Sequence, residues 1–136
     1  LIVSRGLGDV YKRQIIDSLS LDDVSGLLSI LSVFILAAII KTIQGSSTVS
    51  IVTTCAITAP LLQSIGMTSE LEKVILIVSI GSGAMTISHI NDSYFWVVSK
   101  YSNIEMNDVL KFFSTATLIQ GLFGLLVSIT LYIFLT

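Results

Sequence analysis

The sequence predicts an all-α, polytopic membrane protein, and three observations support this prediction. Hydrophobic residues make up 53% of the 136-residue chain and charged residues only 12%, whereas soluble domains have roughly 25% charged residues. The mean hydropathy is +0.93. Residues 42–69 and 112–136 contain no charged side chain, and a spanning helix needs about 20 largely apolar residues. The chain therefore has several segments long enough to cross a bilayer.

The charge balance and the cysteine content exclude other classes of protein. The net charge is -2 and the basic residues form no patch of the kind that binds nucleic acid. Cys55 is the single cysteine, so the chain forms no intrachain disulfide. We expect neither a metal ion nor a cofactor.

The first 14 residues differ from the rest of the chain. Residues 4–14 hold three of the seven basic residues in a stretch without hydrophobic periodicity. This stretch resembles the translated adaptor of transposase-based DNA libraries, so we expect residues 1–14 to be non-native. The alternatives are a basic juxtamembrane tail or the charged region of a signal peptide. Residues 15–136 are then expected to be the C-terminal part of a transporter membrane domain whose N-terminal half is missing.

Two helices are expected on either side of a polar tip. The first covers residues 24–43, because Asp17, Asp22 and Asp23 precede it and acidic side chains suit the positive end of a helix dipole. The second covers about 49–65.

Between these two helices lies a Gly/Ser/Thr-rich tip, residues 44–48, and the second helix contains Pro60. Irregular backbone is tolerated at membrane depth only where it is buried in protein or faces water. The two helices are therefore predicted to form a re-entrant hairpin that enters and leaves the membrane on one side.

A third helix is predicted to be discontinuous. Ser69 and Glu72 fit a capping box, which starts a helix. Residues 71–87 would extend about 25 Å at 1.5 Å per residue, which is less than the hydrocarbon core of about 30 Å. We expect this helix to break at residues 88–92 and to resume over 93–100.

A final spanning helix is expected over residues 109–135, opened by Asp108, after a polar connector at 101–107. Lys100 and Lys111 flank the connector, whereas the turn before the third helix has one lysine. Because cytoplasmic loops are enriched in Lys and Arg, this count favours a cytoplasmic connector and an external C-terminus.

The two polar interruptions supply the candidate site residues. Residues 88–92 contain the only histidine of the chain, and polar groups at membrane depth usually mark the working site of a transporter. Residues 44–48 offer amide and hydroxyl groups, and the N-terminus of the following helix favours an anion; ordinary helix–helix contact is the alternative. The predicted substrate-binding residues are Lys41, Gln44, Gly45, Ser46, Ser47, Thr48, Ser88 and Asn91.

His89 and Asp92 are the titratable groups of the predicted break, and we assign proton coupling to them. The alternatives are that Asp92 caps the resumed helix and that His89 is a hydrogen-bonded spacer. Lys41 is expected either to attract a substrate carboxylate or to extend towards the membrane interface. Asn91 donates and accepts hydrogen bonds at once, which suits a hydroxylated ligand.

At these two interruptions the chain resembles the gluconate permease (GntP) family. The matching residues are 41–49, followed by 53–61 with Ala59, Pro60 and Leu61, and then 81–83 through 88–92 to Phe95 and Trp96. The resemblance implies the C-terminal part of a gluconate–proton symporter of the bacterial inner membrane. It implies gluconate, a related sugar acid or another hydroxy acid such as D-serine as substrate. By analogy of fold, the family is similar to the ion-transporter superfamily, whose carriers contain inverted repeats of re-entrant hairpins and broken helices.

Two other functions stay open at this point. One is a carboxylate transporter that is coupled to sodium or works by exchange. The other is an intramembrane hydrolase using Ser88 and His89, although no nucleophile motif surrounds them, so no catalytic residue is assigned. The expected partners are a small organic anion, membrane lipid and the missing N-terminal half, with a homodimer as an open alternative and no nucleic acid. The 136-residue chain alone is expected to be inactive.

Overall fold

The computed structural model describes the backbone of residues 22–136 and the side chains from residue 26 onward. The prediction for residues 1–14, and Asp17 with it, lies outside the described residues. Over the described range the secondary structure is entirely helical. The helices are α1 (Asp22–Gln44), α2 (Ser47–Thr58), α3 (Glu70–Ala84), α4 (Ser93–Ser102) and α5 (Met106–Leu135).

Helices α1 and α5 are the ones long and apolar enough, among the described residues, to cross a membrane. The apolar windows are Gly26–Gln44 and Met106–Leu135. At 1.5 Å per residue, the 30 residues of α5 extend about 45 Å, more than the hydrocarbon thickness of about 30 Å. The prediction of an all-helical chain is confirmed over the described residues, and the two long apolar helices are consistent with a membrane protein.

Helices α1 and α2 form an antiparallel hairpin, as predicted. The Ser50 hydroxyl on α2 donates to the Ala37 carbonyl on α1 at 2.6 Å, which ties the two helices together. Ser46 is the N-cap of α2, and its side chain accepts from the Val49 amide at 3.4 Å. A serine at this position satisfies an amide that has no partner within the helix.

The second helix is shorter than predicted. It ends at Thr58, and Pro60 lies in a 3-10 turn, Ala59–Leu61, instead of inside a helix reaching residue 65. The physical reason is that proline lacks an amide hydrogen and its ring crowds the carbonyl four residues earlier.

The third helix is broken, as predicted. The capping box forms: the Ser69 hydroxyl accepts from the Glu72 amide at 3.2 Å, and the Ser69 amide donates to Glu72 Oε2 at 2.8 Å. Helix α3 then has 15 residues, about 22 Å. It ends at Ala84, three residues earlier than expected, and helix α4 starts at residue 93.

The last helix starts earlier than predicted. It begins at Met106 instead of 109, so the connector between α4 and α5 shrinks to residues 103–105. Asn103 ends α4 in the left-handed conformation, with φ 56, a conformation that Asn tolerates better than most residues. Within α5, Val109–Phe113 forms a π-helical segment, a feature frequent at functional sites.

The apolar core lies where α3 packs between α1 and α5. Helix α1 contributes Ile30, Val33 and Ala37, which share one face by helical spacing. The Ser79 hydroxyl of α3 donates to the Ile30 carbonyl at 2.8 Å, so this polar group has a hydrogen-bond partner inside the core. The other buried members of the core are Met67, Ile75, Leu76, Ile80 and Tyr132.

Replacing Gly83 by alanine should destabilise the packing of α1 on α3. A Cβ at Gly83 would lie 2.3 Å from the Phe34 carbonyl oxygen, an overlap that forces the helices apart at a cost of about 1–3 kcal/mol. Gly81→Ala is the matched control, because a Cβ there has no heavy atom within 4 Å. Alanine also favours the helix over glycine by about 1 kcal/mol, so Gly81→Ala should not lower stability.

Thermal unfolding of the 136-residue chain in detergent micelles, followed by circular dichroism, tests this difference. We expect a lower midpoint for Gly83→Ala and an equal or higher one for Gly81→Ala. Equal midpoints for both variants would contradict the close approach of α1 and α3.

Candidate functional site

A buried ion pair joins the hairpin to the broken helix. Lys41 Nζ lies 2.6 Å from Asp92 Oδ2, and the two side chains are 2% and 6% exposed. The Ser88 hydroxyl donates to the same carboxylate oxygen at 2.7 Å. Two charges at this depth are stable only when they are paired and hydrogen-bonded.

Asp92 also caps the resumed helix. Its second oxygen, Oδ1, accepts from the Tyr94 amide at 3.0 Å, which makes Asp92 the N-cap of α4. The carboxylate therefore uses one oxygen for Lys41 and Ser88 and the other for the helix.

Lys41 is buried because of its position on α1. Ile30, Phe34, Ala37 and Lys41 follow one another at intervals of four, three and four residues and are all buried. Such spacing places them on the same helix face. Lys41 thus continues the core-facing stripe to the end of α1, where it points at the break instead of extending towards the membrane interface.

The break is held against the hairpin tip by side chains that bind carbonyls at the end of α1. Asn91 Nδ2 donates to the Ile43 carbonyl at 2.6 Å, and His89 Nε2 lies 3.1 Å from the Thr42 carbonyl. His89 Nδ1 accepts from the Asn91 amide at 3.1 Å. This pattern fits a neutral imidazole with its proton on Nε2. The last carbonyls of a helix have no hydrogen-bond donor within the helix. His89 and Asn91 provide side-chain donors for two of them.

The same contacts separate Ser88 from His89. The Ser88 hydroxyl donates to Asp92, whereas the His89 ring contacts Thr42 and the Asn91 amide. A hydrolase would need the serine hydroxyl bonded to the histidine base. The arrangement provides no such nucleophile.

Helix α5 fixes the backbone of the break, which the sequence reasoning missed. The Ser114 hydroxyl donates to the Ser88 carbonyl, and the Ser88 amide donates to Thr117 Oγ1 at 3.1 Å. Ser114, Thr117 and Gln120 are spaced three residues apart, which places them on neighbouring positions of one helix face. This polar spacing within an otherwise apolar helix was the available signal.

A cavity of about 580 Å³ lies between the hairpin tip, the break and α5. Five of the predicted site residues line it. The remaining lining residues were not assigned to substrate by the sequence reasoning. The predicted ones are Ser46, Ser47, Thr48, Ser88 and Asp92, and the others are Met85, Ser93, Tyr94, Phe113, Thr117 and Gln120.

The other predicted site residues lie around the cavity instead of lining it. Lys41 is behind Asp92, Gly45 is buried under Asn91, and Gln44 is exposed at the end of α1. His89 and Asn91 bind the α1 carbonyls. These residues therefore lie behind the cavity wall, which the hydroxyl-bearing residues Ser46, Ser47, Thr48 and Ser88 help to form.

Aromatic residues close one side of the cavity. The rings of Tyr94 and Phe113 lie with centroids 6.0 Å apart, and both line the cavity. Trp96 donates from Nε1 to the Ile90 carbonyl at 2.8 Å and so braces the break. Tyr94 and Phe113 therefore form part of the cavity wall.

Relatives of this chain are named as transporters. The high-affinity gluconate transporter of Escherichia coli (strain K12) is 29% identical over 126 residues, 88% of this chain and 28% of that protein. The gluconate permease of Pseudomonas aeruginosa is 30% identical over 133 residues, 92% of this chain and 28% of that protein. The D-serine transporter DsdX of Escherichia coli (strain K12) is 30% identical over 126 residues, 88% of this chain and 28% of that protein.

The chain spans 28% of the length of these curated relatives. No solved structure matches it. The sequence model of the GntP family permease matches residues 3–134, nearly the whole chain, and this family consists of permeases and not of enzymes. The resemblance seen in the two polar interruptions is confirmed, and the chain belongs to the GntP permease family.

Proposed function

We propose that the protein to which this chain belongs is a secondary transporter that carries gluconate, or a similar sugar or hydroxy acid, across the bacterial inner membrane together with protons. The observation that supports this most directly is the hydroxyl-lined cavity of about 580 Å³ where hairpin tip, break and α5 meet. The names of the relatives, two gluconate carriers and a D-serine carrier, support the substrate class.

The groups around the cavity suit a polyhydroxy carboxylate. Ser46, Ser47 and Thr48 form the start of α2, where backbone amides and the helix dipole favour negative charge. Ser88 and Thr117 add hydroxyl groups that both donate and accept hydrogen bonds. A ligand with one carboxylate and several hydroxyls matches this combination.

The short helices α2 and α3 support a re-entrant arrangement in the membrane, although α1 by its length could cross the membrane. Helix α2 has 12 residues, about 18 Å, and so is too short to cross a core of about 30 Å. We therefore place the α1–α2 tip and the α3–α4 break at mid-membrane, as in carriers built from discontinuous helices. The connector at 103–105 is placed in the cytoplasm and the C-terminus outside, because Lys100 and Lys111 flank the connector.

The apolar surface of the chain supports a longer assembly. Phe123 is 67% exposed and Phe134 is 81% exposed on α5, as expected for side chains that contact lipid or protein within a membrane. We propose that further parts of the full-length protein, lipid or a second copy cover this surface, and that the 136-residue chain alone does not transport.

Transport by the complete reading frame that contains this segment tests the proposal. The purified protein is reconstituted into liposomes and supplied with radiolabelled gluconate. We expect accumulation when the outside is acidified, and none without a pH gradient. Replacing sodium by choline distinguishes the sodium-coupled alternative, because proton-driven accumulation is unaffected by that change. Gluconate uptake that ignores the pH gradient would refute proton coupling.

Gln120 should contribute to affinity without contributing to stability. It lines the cavity, and the loss of one neutral hydrogen bond to substrate weakens binding by about two- to tenfold. We expect Gln120→Leu to raise the KM for gluconate by that factor while the unfolding midpoint stays unchanged. Gln63→Leu, in the loop after α2, is the control and should leave KM unchanged. A KM for Gln120→Leu equal to that of the wild type would remove Gln120 from the site.

A further inference from the structure

The cavity presents a carboxylate to a ligand that is itself an anion. Asp92 lines the cavity, whereas Lys41 lies behind it and reaches the cavity only through the 2.6 Å contact with Asp92. None of the described residues that line the cavity is basic. An incoming carboxylate therefore meets a like charge before it can reach the cation.

Separating the pair without a proton is unfavourable. Asp92 and Lys41 are 5% and 1% exposed, and a buried charge that loses its partner is strongly destabilised. A substrate anion beside an ionised Asp92 would leave the site with a net negative charge in a medium of low polarity. The site keeps zero net charge only if one proton enters with each monocarboxylate.

We propose that the substrate carboxylate replaces Asp92 on Lys41 while Asp92 takes up one proton, so that transport is electroneutral with one proton per monocarboxylate. The site changes from Lys41 ammonium with Asp92 carboxylate to Lys41 ammonium with substrate carboxylate and neutral Asp92. The proton comes from the solution on the side to which the cavity is open. This inference rests on the proposed function and assigns the coupling step to one ion pair.

The surroundings of Asp92 accommodate its neutral form. The Ser88 hydroxyl, which donates to Oδ2 at 2.7 Å, can instead accept the proton of the acid, since a hydroxyl does both. Oδ1 keeps the contact with the Tyr94 amide. The resumed helix therefore stays capped when Lys41 is released.

Asp92 is the group placed to take the proton. The charged side chain that faces it is Lys41 from α1, and the Tyr94 phenol lines the same cavity. Helices α2 and α5 face the cavity with hydroxyls, an amide and a phenyl ring, and α3 leads into it at Met85. His89 contacts the Thr42 carbonyl, away from the pair.

The stoichiometry gives a quantitative test in liposomes that contain the full-length protein. With one proton per gluconate, the accumulation ratio rises about tenfold per pH unit of gradient. An inside-negative potential of about 100 mV leaves this accumulation ratio unchanged. If each transport cycle moved one uncompensated charge, the same potential would change the ratio about fiftyfold. A ratio that follows the potential would overturn the proposal.

Asp92→Asn separates coupling from binding. Asparagine imitates the neutral acid, so we expect gradient-driven accumulation to fall at least tenfold while exchange of labelled for unlabelled gluconate loses its pH dependence. Asp108→Asn makes the same chemical change at an exposed position at the start of α5 and should leave accumulation unchanged. Gradient-driven accumulation that persists in Asp92→Asn would overturn the proposal.

A second variant covers the case in which Asp92→Asn does not fold. Lys41→Met with Asp92→Asn removes both charges, so it leaves no unpaired ion and should fold. We expect it to lose gluconate exchange, because no cation remains for the carboxylate, and retained exchange would show that the pair is only structural. If the wild type shows no gluconate exchange at all, the proposed function fails; if it exchanges gluconate with no effect of pH, only the coupling fails.

Discussion

Gly45→Ala is expected to separate the hairpin tip from the helix break and to abolish transport. Gly45 has φ +69, and a Cβ there would lie 1.9 Å from the Asn91 carbonyl oxygen. The left-handed conformation costs a residue with a side chain about 1–2 kcal/mol. The overlap with backbone adds a further cost, about 1–3 kcal/mol by comparison with overpacked cores. Unfolding of the 136-residue chain in detergent and gluconate uptake by the full-length protein measure the two effects.

Gly66→Ala provides the matched control for this prediction. Gly66 has φ +74, but a Cβ there has no heavy atom within 4 Å. It should therefore show only the conformational cost and leave transport intact. If both variants lose the same stability and both transport, Asn91 does not lie against Gly45.

Lys41→Met should be the most destabilising single substitution among the site residues. It removes the partner of Asp92, 2.6 Å away, and leaves a buried carboxylate without a cation, which costs about 3–5 kcal/mol. Adding Asp92→Asn should recover most of that loss, because the second change removes the uncompensated charge. Unfolding midpoints of the wild type, both single variants and the double variant complete a double-mutant cycle.

Lys100→Met is the control for the loss of a lysine as such. Lys100 is exposed in the last turn of α4, so its removal should change stability by less than about 0.5 kcal/mol. Additive effects of Lys41→Met and Asp92→Asn would mean that the two side chains do not interact in solution.

Most of the helices were predictable because their signals are local. The capping box of Ser69 and Glu72 lies within four residues, and the break follows from an apolar run that is too short to cross before a polar pentad. Helix ends were less accurate. Pro60 stopped α2 earlier than the apolar run suggested, and α5 began at Met106, inside the polar connector predicted at 101–107.

The sequence identified the two polar segments that line the cavity but not the contacts between their side chains. The polar tip and the break were predicted to supply the site residues, and Thr48 and Asp92 line one cavity. Sequence reasoning treated Lys41 and Asp92 as separate groups with separate tasks, although they are joined across 51 positions of the chain. It also overlooked α5, whose Thr117 supports the Ser88 amide.

The sequence by itself determined the membrane class, the helical hairpin, the broken helix and the polar residue types found at the tip and the break. These follow from composition, capping and helix length, which act over a few neighbouring residues. The tertiary structure alone decided that Lys41 pairs with Asp92, that His89 and Asn91 bind the carbonyls of α1, and that α5 completes the cavity. Such contacts depend on how distant helices rotate and pack against one another, and that rotation is settled by the whole core at once.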